Sequence, residues 1–221
     1  MKRSKQYRFA QNAIADNVIE NGKPIYNSIK GNWGIQFNNN NPIILELACG
    51  KGEYTVGLAK EYPDFNFIGV DIKGDRIARG SQAALEKGLK NVAFLRTDIQ
   101  YLCEFFDANE VSEIWVTFPD PQPRDKQEKH RLTHPRFLEI YTELLIEDGL
   151  FHLKTDSAPF FEYSLETLPA FGFTKLIFTH NLYESPLNDI HHGIKTKYEA
   201  MFFEKGYSIH YLQCTNKKAL A

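Results

Sequence analysis

Four carboxylates, Glu46, Asp71, Asp98 and Asp120, each stand at or just beyond the end of an apolar run in this 221-residue chain. Acids so placed can hold a ribose diol, a cationic group or a developing positive charge. The first is followed by Cys49-Gly50-Lys51-Gly52, where Gly50 and Gly52 let the backbone approach a ligand closely. Asp71 comes about twenty residues after these glycines, the spacing of an acid that holds a ribose diol. A nicotinamide dinucleotide also suits that spacing. Two residues oppose it: Thr55 takes the place of the third glycine in G-x-G-x-x-G, and Glu46 would face a pyrophosphate with negative charge. A ligand with a cationic head and an adenosine body suits the set better, and S-adenosylmethionine has both. The bland alternatives are that Asp98 caps a short helix and that Glu46 pairs with a lysine.

The fourth acid has a different setting. Asp120 lies between Pro119 and Pro121 in W-V-T-F-P-D-P-Q-P-R-D-K-Q-E-K-H-R-L, residues 115–132. Proline cannot donate to a sheet ladder, so the strand stops near Phe118 and leaves as a stiff loop. A cationic run follows at once: Arg124, Lys126, Lys129, His130 and Arg131. A fixed acid beside a basic surface suits a polyanion laid over a small reactive site. Asp125 and Glu128 interrupt the run, and the alternative is a solvated loop of mixed charge.

These residues need a scaffold that puts them together. Residues 42–48 (P-I-I-L-E-L-A) form a nearly continuous apolar run, as in a strand buried on both faces. Further strands are expected at 65–71, 91–96, 111–118, 149–155, 173–179 and 207–214. Helices are expected at 53–62, 75–87, 135–147 and 158–168, with a short helical stretch at 99–106. Thr196 and Glu199 have the T-x-x-E spacing of a capping box, which makes 196–204 a helix. The alternation predicts a doubly wound, mostly parallel seven-stranded α/β sheet with helices on both faces. Ligands then sit off the carboxyl ends of the strands. Residues 1–40 read as an arm with short helical turns, partly mobile, on a single domain spanning 1–221.

A hydrophobic content of 43% is ample for a core, and no apolar run approaches the ~20 residues that cross a bilayer. The N-terminus lacks the apolar centre of a signal peptide. Cys49, Cys103 and Cys214 have no zinc-ligand spacing and read as reduced thiols of a cytoplasmic protein; no metal is expected. The net charge of −2 leaves nucleic-acid contact to local patches, 2–8 and 124–136.

Together the motifs resemble the bacterial tRNA (guanine-N7-)-methyltransferases, which modify the variable-loop guanine at tRNA position 46. The resemblance spans about residues 44–211. It rests on E-L-A-C-G-K-G-E-Y at 46–54, F-P-D-P-x-P-R…K-H-R-L at 118–132, H-L-K-T-D at 152–156 and T-K-Y-E at 196–199. The second and fourth, in this order and spacing, are specific. The resemblance implies that Glu46, Asp71, Asp98 and Asp120 contact S-adenosylmethionine. It implies that Arg124, Asp156, Thr196, Lys197, Tyr198 and Glu199 lie on the substrate side. Three departures stand out: Ala48 where the family usually has glycine, Gln122 in place of a tryptophan, and Arg124 in place of a lysine.

On this reading Asp120 is the catalytic carboxylate, and Lys126, Lys129 and Arg131 hold tRNA phosphates with Arg124. Guanine N7 carries a lone pair and no proton, so alignment matters more than a general base. Asp156 or Glu199 would read the Watson–Crick edge of a base turned out of its stack. Asp156 as a helix N-cap and Glu199 as a capping-box partner are the structural alternatives. His191-His192-Gly193, on the loop before Thr196, either lines the pocket or is a solvated loop, and a pair of histidines alone reads as the latter. No obligatory protein partner is expected, whether the chain is monomer or homodimer. The rivals are a methyltransferase for another RNA base, a nicotinamide-dependent oxidoreductase and a non-catalytic RNA-binding domain.

Overall fold

Strand β2 (Ile43–Leu47) is buried at every position and sits near the centre of an eight-stranded sheet, as an apolar run with no wet side must. The computed structural model describes residues 4–217, so Lys2 and Arg3 of the N-terminal basic patch lie outside the described residues. Beside β2 run β3 (Asn66–Val70), β4 (Val92–Leu95) and β5 (Val111–Thr117), all parallel to their neighbours. β6 (Leu145–Thr155), β7 (Thr174–Thr179) and β8 (His210–Thr215) complete the far side, with β8 antiparallel to both β6 and β7. The eighth strand, absent from the sequence expectation, is β1 (Val18–Ile19), which pairs with β4. Two residues are too few to show a period. The strand order is β1-β4-β3-β2-β5-β6-β8-β7.

The crossovers are α3 (Glu53–Glu61), α4 (Gly74–Glu86), α5 (Pro135–Leu144) and α6 (Ala158–Phe171). α6 outruns the expected end at residue 168, because Pro169 falls in the last turn and Gly172, at φ 110°, makes the left-handed stop. α5 ends earlier than expected: Leu145 turns extended and joins the sheet opposite Val111. α7 (Lys197–Glu204) begins with the expected capping box. The arm closes on the domain through α1 (Lys5–Ile14), whose Asn12 donates to the Gly74 carbonyl at 2.8 Å. α2 (Trp33–Phe37) completes the arm; Trp33 stacks on Phe106 and donates to the Phe105 carbonyl.

The two faces of the sheet differ. Leu45, Leu47, Ile114, Val116, Phe151 and Leu153 pack in one apolar core with residues of α5 and α6. By strand alternation the opposite face carries Glu46, Glu113, Trp115, Thr117, His152 and Lys154. It lies under α3, α4 and residues 182–204. Among the described residues no helix is long and apolar enough to cross a membrane.

Candidate active site

β2 passes into α3 through a turn in which Ala48, Gly50 and Gly52 all take left-handed φ, 55°, 59° and 63°. A Cβ at Gly52 would also run into the Phe94 ring, so this position admits no side chain. Ala48 bears a cost of about 1–2 kcal/mol in that conformation. The turn is braced by Asp71 from the end of β3, whose carboxylate accepts from Gly50 N–H at 2.9 Å and from Lys73 N–H at 2.8 Å. Ile72, directly after it, is an exposed apolar residue beside the acid.

Glu46 is buried on β2 and accepts from the Thr55 amide at 2.8 Å, from the Thr55 hydroxyl, and from Thr117 Oγ1 at 2.6 Å. Burial pushes its carboxyl up to about 7, against the downward pull of these donors. Its hydrogen-bond partners are threonines and not the lysine considered as an alternative. Asp98, at the end of β4, accepts from Gln100 N–H and caps a short 3₁₀ helix, Ile99–Glu104. Asp120 is exposed beyond β5 and accepts from Gln122 N–H at 3.2 Å. It is carried by Phe118, held at φ 50°, an uncommon conformation for a bulky residue, and by buried Pro119. The four acids thus come from four adjacent strand ends, in the order β4, β3, β2, β5.

A cavity of about 80 Å³ opens among Glu46, Gly50, Thr117, Phe118, Thr196 and Tyr198. That is well below the ~300–1,000 Å³ of a typical ligand pocket, so any larger ligand must extend onto the open rim of strand ends. Thr196 caps α7, and Lys197 N–H donates to Glu53 on α3. Tyr198 is exposed. Glu199 points inward: it is fully buried, 2.5 Å from Lys154 Nζ, and accepts from the Tyr183 hydroxyl at 2.5 Å and the Thr196 amide at 3.2 Å. Of the two expectations for Glu199, the capping-box role is present, and the buried carboxylate faces Lys154. It anchors α7 to β6. Asp156 is half-buried at the end of β6, and its carboxylate makes no hydrogen bond among the described residues. The N-cap of α6 is Ser157, not Asp156.

In the basic loop Arg124, Lys126 and Lys129 are exposed. Arg131 is engaged: its Nε donates to the Gln122 carbonyl and its guanidinium lies 4.5 Å from the Tyr163 ring. It braces the loop. His191 is another correction. It is buried, bonded to the Tyr54 hydroxyl, and burial drives its pKa down to about 2, so it stays neutral. Lys154 is a further site residue that the motif spacing does not single out. The signal was a lone lysine in the buried strand F-H-L-K-T, a position that requires an acid partner.

A sheet of this order, with a glycine turn after its central strand and an acid at each of four strand ends, is that of the α/β methyltransferases. Solved structures agree on the fold. The 16S rRNA methyltransferase KamB superposes with a TM-score of 0.61 at 14% identity, covering 99% of this chain and 96% of that one. A mutant 16S rRNA (adenine(1408)-N(1))-methyltransferase of Catenulisporales acidiphilia, solved with its cosubstrate SAM, gives 0.55 at 11% identity, covering 100% and 95%. Residues 40–212 match the model of a family described as putative methyltransferases. A tRNA (guanine-N(7)-)-methyltransferase of Cytophaga hutchinsonii is 45% identical over 96% of this chain and 97% of its own length. One of Bacteroides fragilis is 44% identical over 96% and 86%. The chain belongs to the tRNA (guanine-N7-)-methyltransferase family.

Proposed function

We propose that the protein transfers the methyl group of S-adenosylmethionine to N7 of guanine 46 in the variable loop of tRNA. The observation that carries this reading is the row of four strand-end acids beside a braced glycine turn, with the basic loop of Arg124, Lys126 and Lys129 following the last acid directly in the chain. The nicotinamide reading falls with the family, and locally because Thr55 donates to Glu46 where a third glycine would stand.

The residues present fit the cofactor. S-adenosylmethionine supplies a methyl group on a sulfonium, a cation that becomes neutral as the methyl leaves. Glu46 is a desolvated acid that titrates near neutrality, and a cationic neighbour returns it to its charged form. Asp71 offers its remaining lone pairs to a diol while its backbone bonds hold it still, and Asp98 and Ile72 continue the same rim. Asp120, stiffened by flanking prolines, stabilises the positive charge that develops on the imidazole ring of guanine. No proton leaves N7, so most of the acceleration comes from alignment, for which ~7–11 kcal/mol is available. Asp156, whose carboxylate makes no hydrogen bond among the described residues, accepts from the guanine N1–H and N2–H₂ donors. Arg124, Lys126 and Lys129 hold phosphates, each adding to the salt dependence of tRNA binding without reading sequence.

The test is transfer of label from methyl-labelled S-adenosylmethionine to unmodified tRNA. Transfer is expected with the wild-type protein and should be lost with Asp120→Ala and with tRNA lacking the variable-loop guanine. Undiminished transfer to that tRNA would sink the assignment of the acceptor.

A further inference from the structure

A second cavity, of about 200 Å³, lies on the same face of the sheet but at the opposite, amino-terminal ends of the strands. Glu113 on β5 marks it, four residues and so about 13 Å from Thr117 at the cofactor end. Tyr62, Phe65, Phe67 and Trp115 line it together with aliphatic side chains. Among the described residues Glu113 is the one formal charge in its wall, and no lysine or arginine contributes.

Glu113 is a built feature. Its carboxylate accepts from Trp115 Nε1 at 3.0 Å and lies 3.3 Å from His152 Nε2, and only 23% of its side chain is exposed. The imidazole is stacked on Trp115 with ring centroids 3.8 Å apart, and its Nδ1 shares a hydrogen bond with the Tyr211 hydroxyl at 2.8 Å. Burial pushes Glu113 up, but the His152 and Trp115 contacts outweigh it and leave the carboxyl below its usual range. Burial holds His152 below its usual range, hence neutral. The result is a largely desolvated carboxylate among aromatic rings whose only ion-pair partner among the described residues is a buried imidazole. Such an anion is costly without a compensating cation. Aromatic rings around a carboxylate are the surroundings in which organic ammonium ions bind.

We propose that this cavity binds a small organic ammonium ion, its nitrogen against Glu113 and its alkyl body among Tyr62, Phe65 and Phe67. The inference is independent of the methyl-transfer reading, because none of these residues is assigned to cofactor or tRNA.

Choline is the probe, titrated calorimetrically into the full chain with and without S-adenosylhomocysteine, and 3,3-dimethylbutan-1-ol is its uncharged counterpart. Choline should bind one to one at millimolar or lower concentration in both conditions, and the alcohol at least tenfold more weakly. Glu113→Gln keeps an acceptor for Trp115 and should weaken choline at least tenfold while leaving methyl transfer unchanged. Gln213→Lys, from the cavity wall, supplies a tethered ammonium. It should abolish choline binding and raise the melting temperature. Equal binding of the alcohol, choline binding indifferent to both substitutions, or no binding of choline would each overturn the proposal.

Discussion

The two faces of the sheet solve different problems with the same strands. On β6, Phe151 and Leu153 point into an apolar core, while His152 and Lys154, one residue away, point into a layer of buried hydrogen bonds. The apolar face holds by area, at roughly 1.5–3 kcal/mol for each large side chain buried. The polar face holds by pairing: Lys154 with Glu199, and Glu46 with Thr55 and Thr117. Pairing stabilises less per residue and fails harder when one partner is lost. It also fixes where each group sits, which a site needs and a core does not.

Breaking one pair should therefore be the single change that damages fold and site together. Lys154→Met leaves Glu199 buried and unpaired, with an expected loss of about 3–5 kcal/mol in denaturant unfolding. Lys154→Met with Glu199→Leu should recover much of that stability while cofactor affinity stays impaired, because α7 carries Thr196 and Tyr198 into the cavity wall. Leu153→Ala on the other face should cost a comparable ~2–5 kcal/mol yet leave cofactor affinity intact at temperatures where the protein is folded. Equal loss of affinity in both single variants would erase the distinction between the faces.

Glu46 sharpens the comparison through pH. Its carboxyl is raised from 4.5 to about 7 in the folded protein, so the unfolded chain ionises first. Stability of the cofactor-free protein then falls as pH rises through that window, by about 3 kcal/mol once both states are ionised. Glu46→Gln removes the effect. The variant should match wild type near pH 4, exceed it in stability at pH 8, and bind S-adenosylmethionine at least tenfold more weakly. Wild-type affinity for this cation should rise with pH through neutrality, measured by calorimetry from pH 5.5 to 8.5. The smallest expected effect is at the turn itself. Ala48→Gly relieves a left-handed alanine and should add about 0.5–1 kcal/mol to stability with little change in activity.

The legible parts of the molecule were those whose signal is local. Each strand-end acid closes an apolar run, the glycine turn follows β2 directly, and T-x-x-E announced the start of α7. The inward turn of Glu199 was not legible, because a capping box looks the same whether its acid stays at the helix end or also reaches a lysine on a distant strand. His191 read as solvated since nothing in 182–194 shows periodicity. It is buried because two short 3₁₀ turns lay this segment over Tyr54 and Trp115. Arg131 reads as one more cation of the run; only its contact with the Gln122 carbonyl, made across the folded loop, sets it apart.

The most direct measurement is the identity and position of the methylated nucleotide, by nuclease digestion and mass spectrometry of tRNA treated with the wild-type protein and S-adenosylmethionine. The expected product is 7-methylguanosine at position 46 and at no other position. A methyl group on another atom or nucleotide, or a protein that binds S-adenosylmethionine and leaves tRNA unchanged, would contradict it.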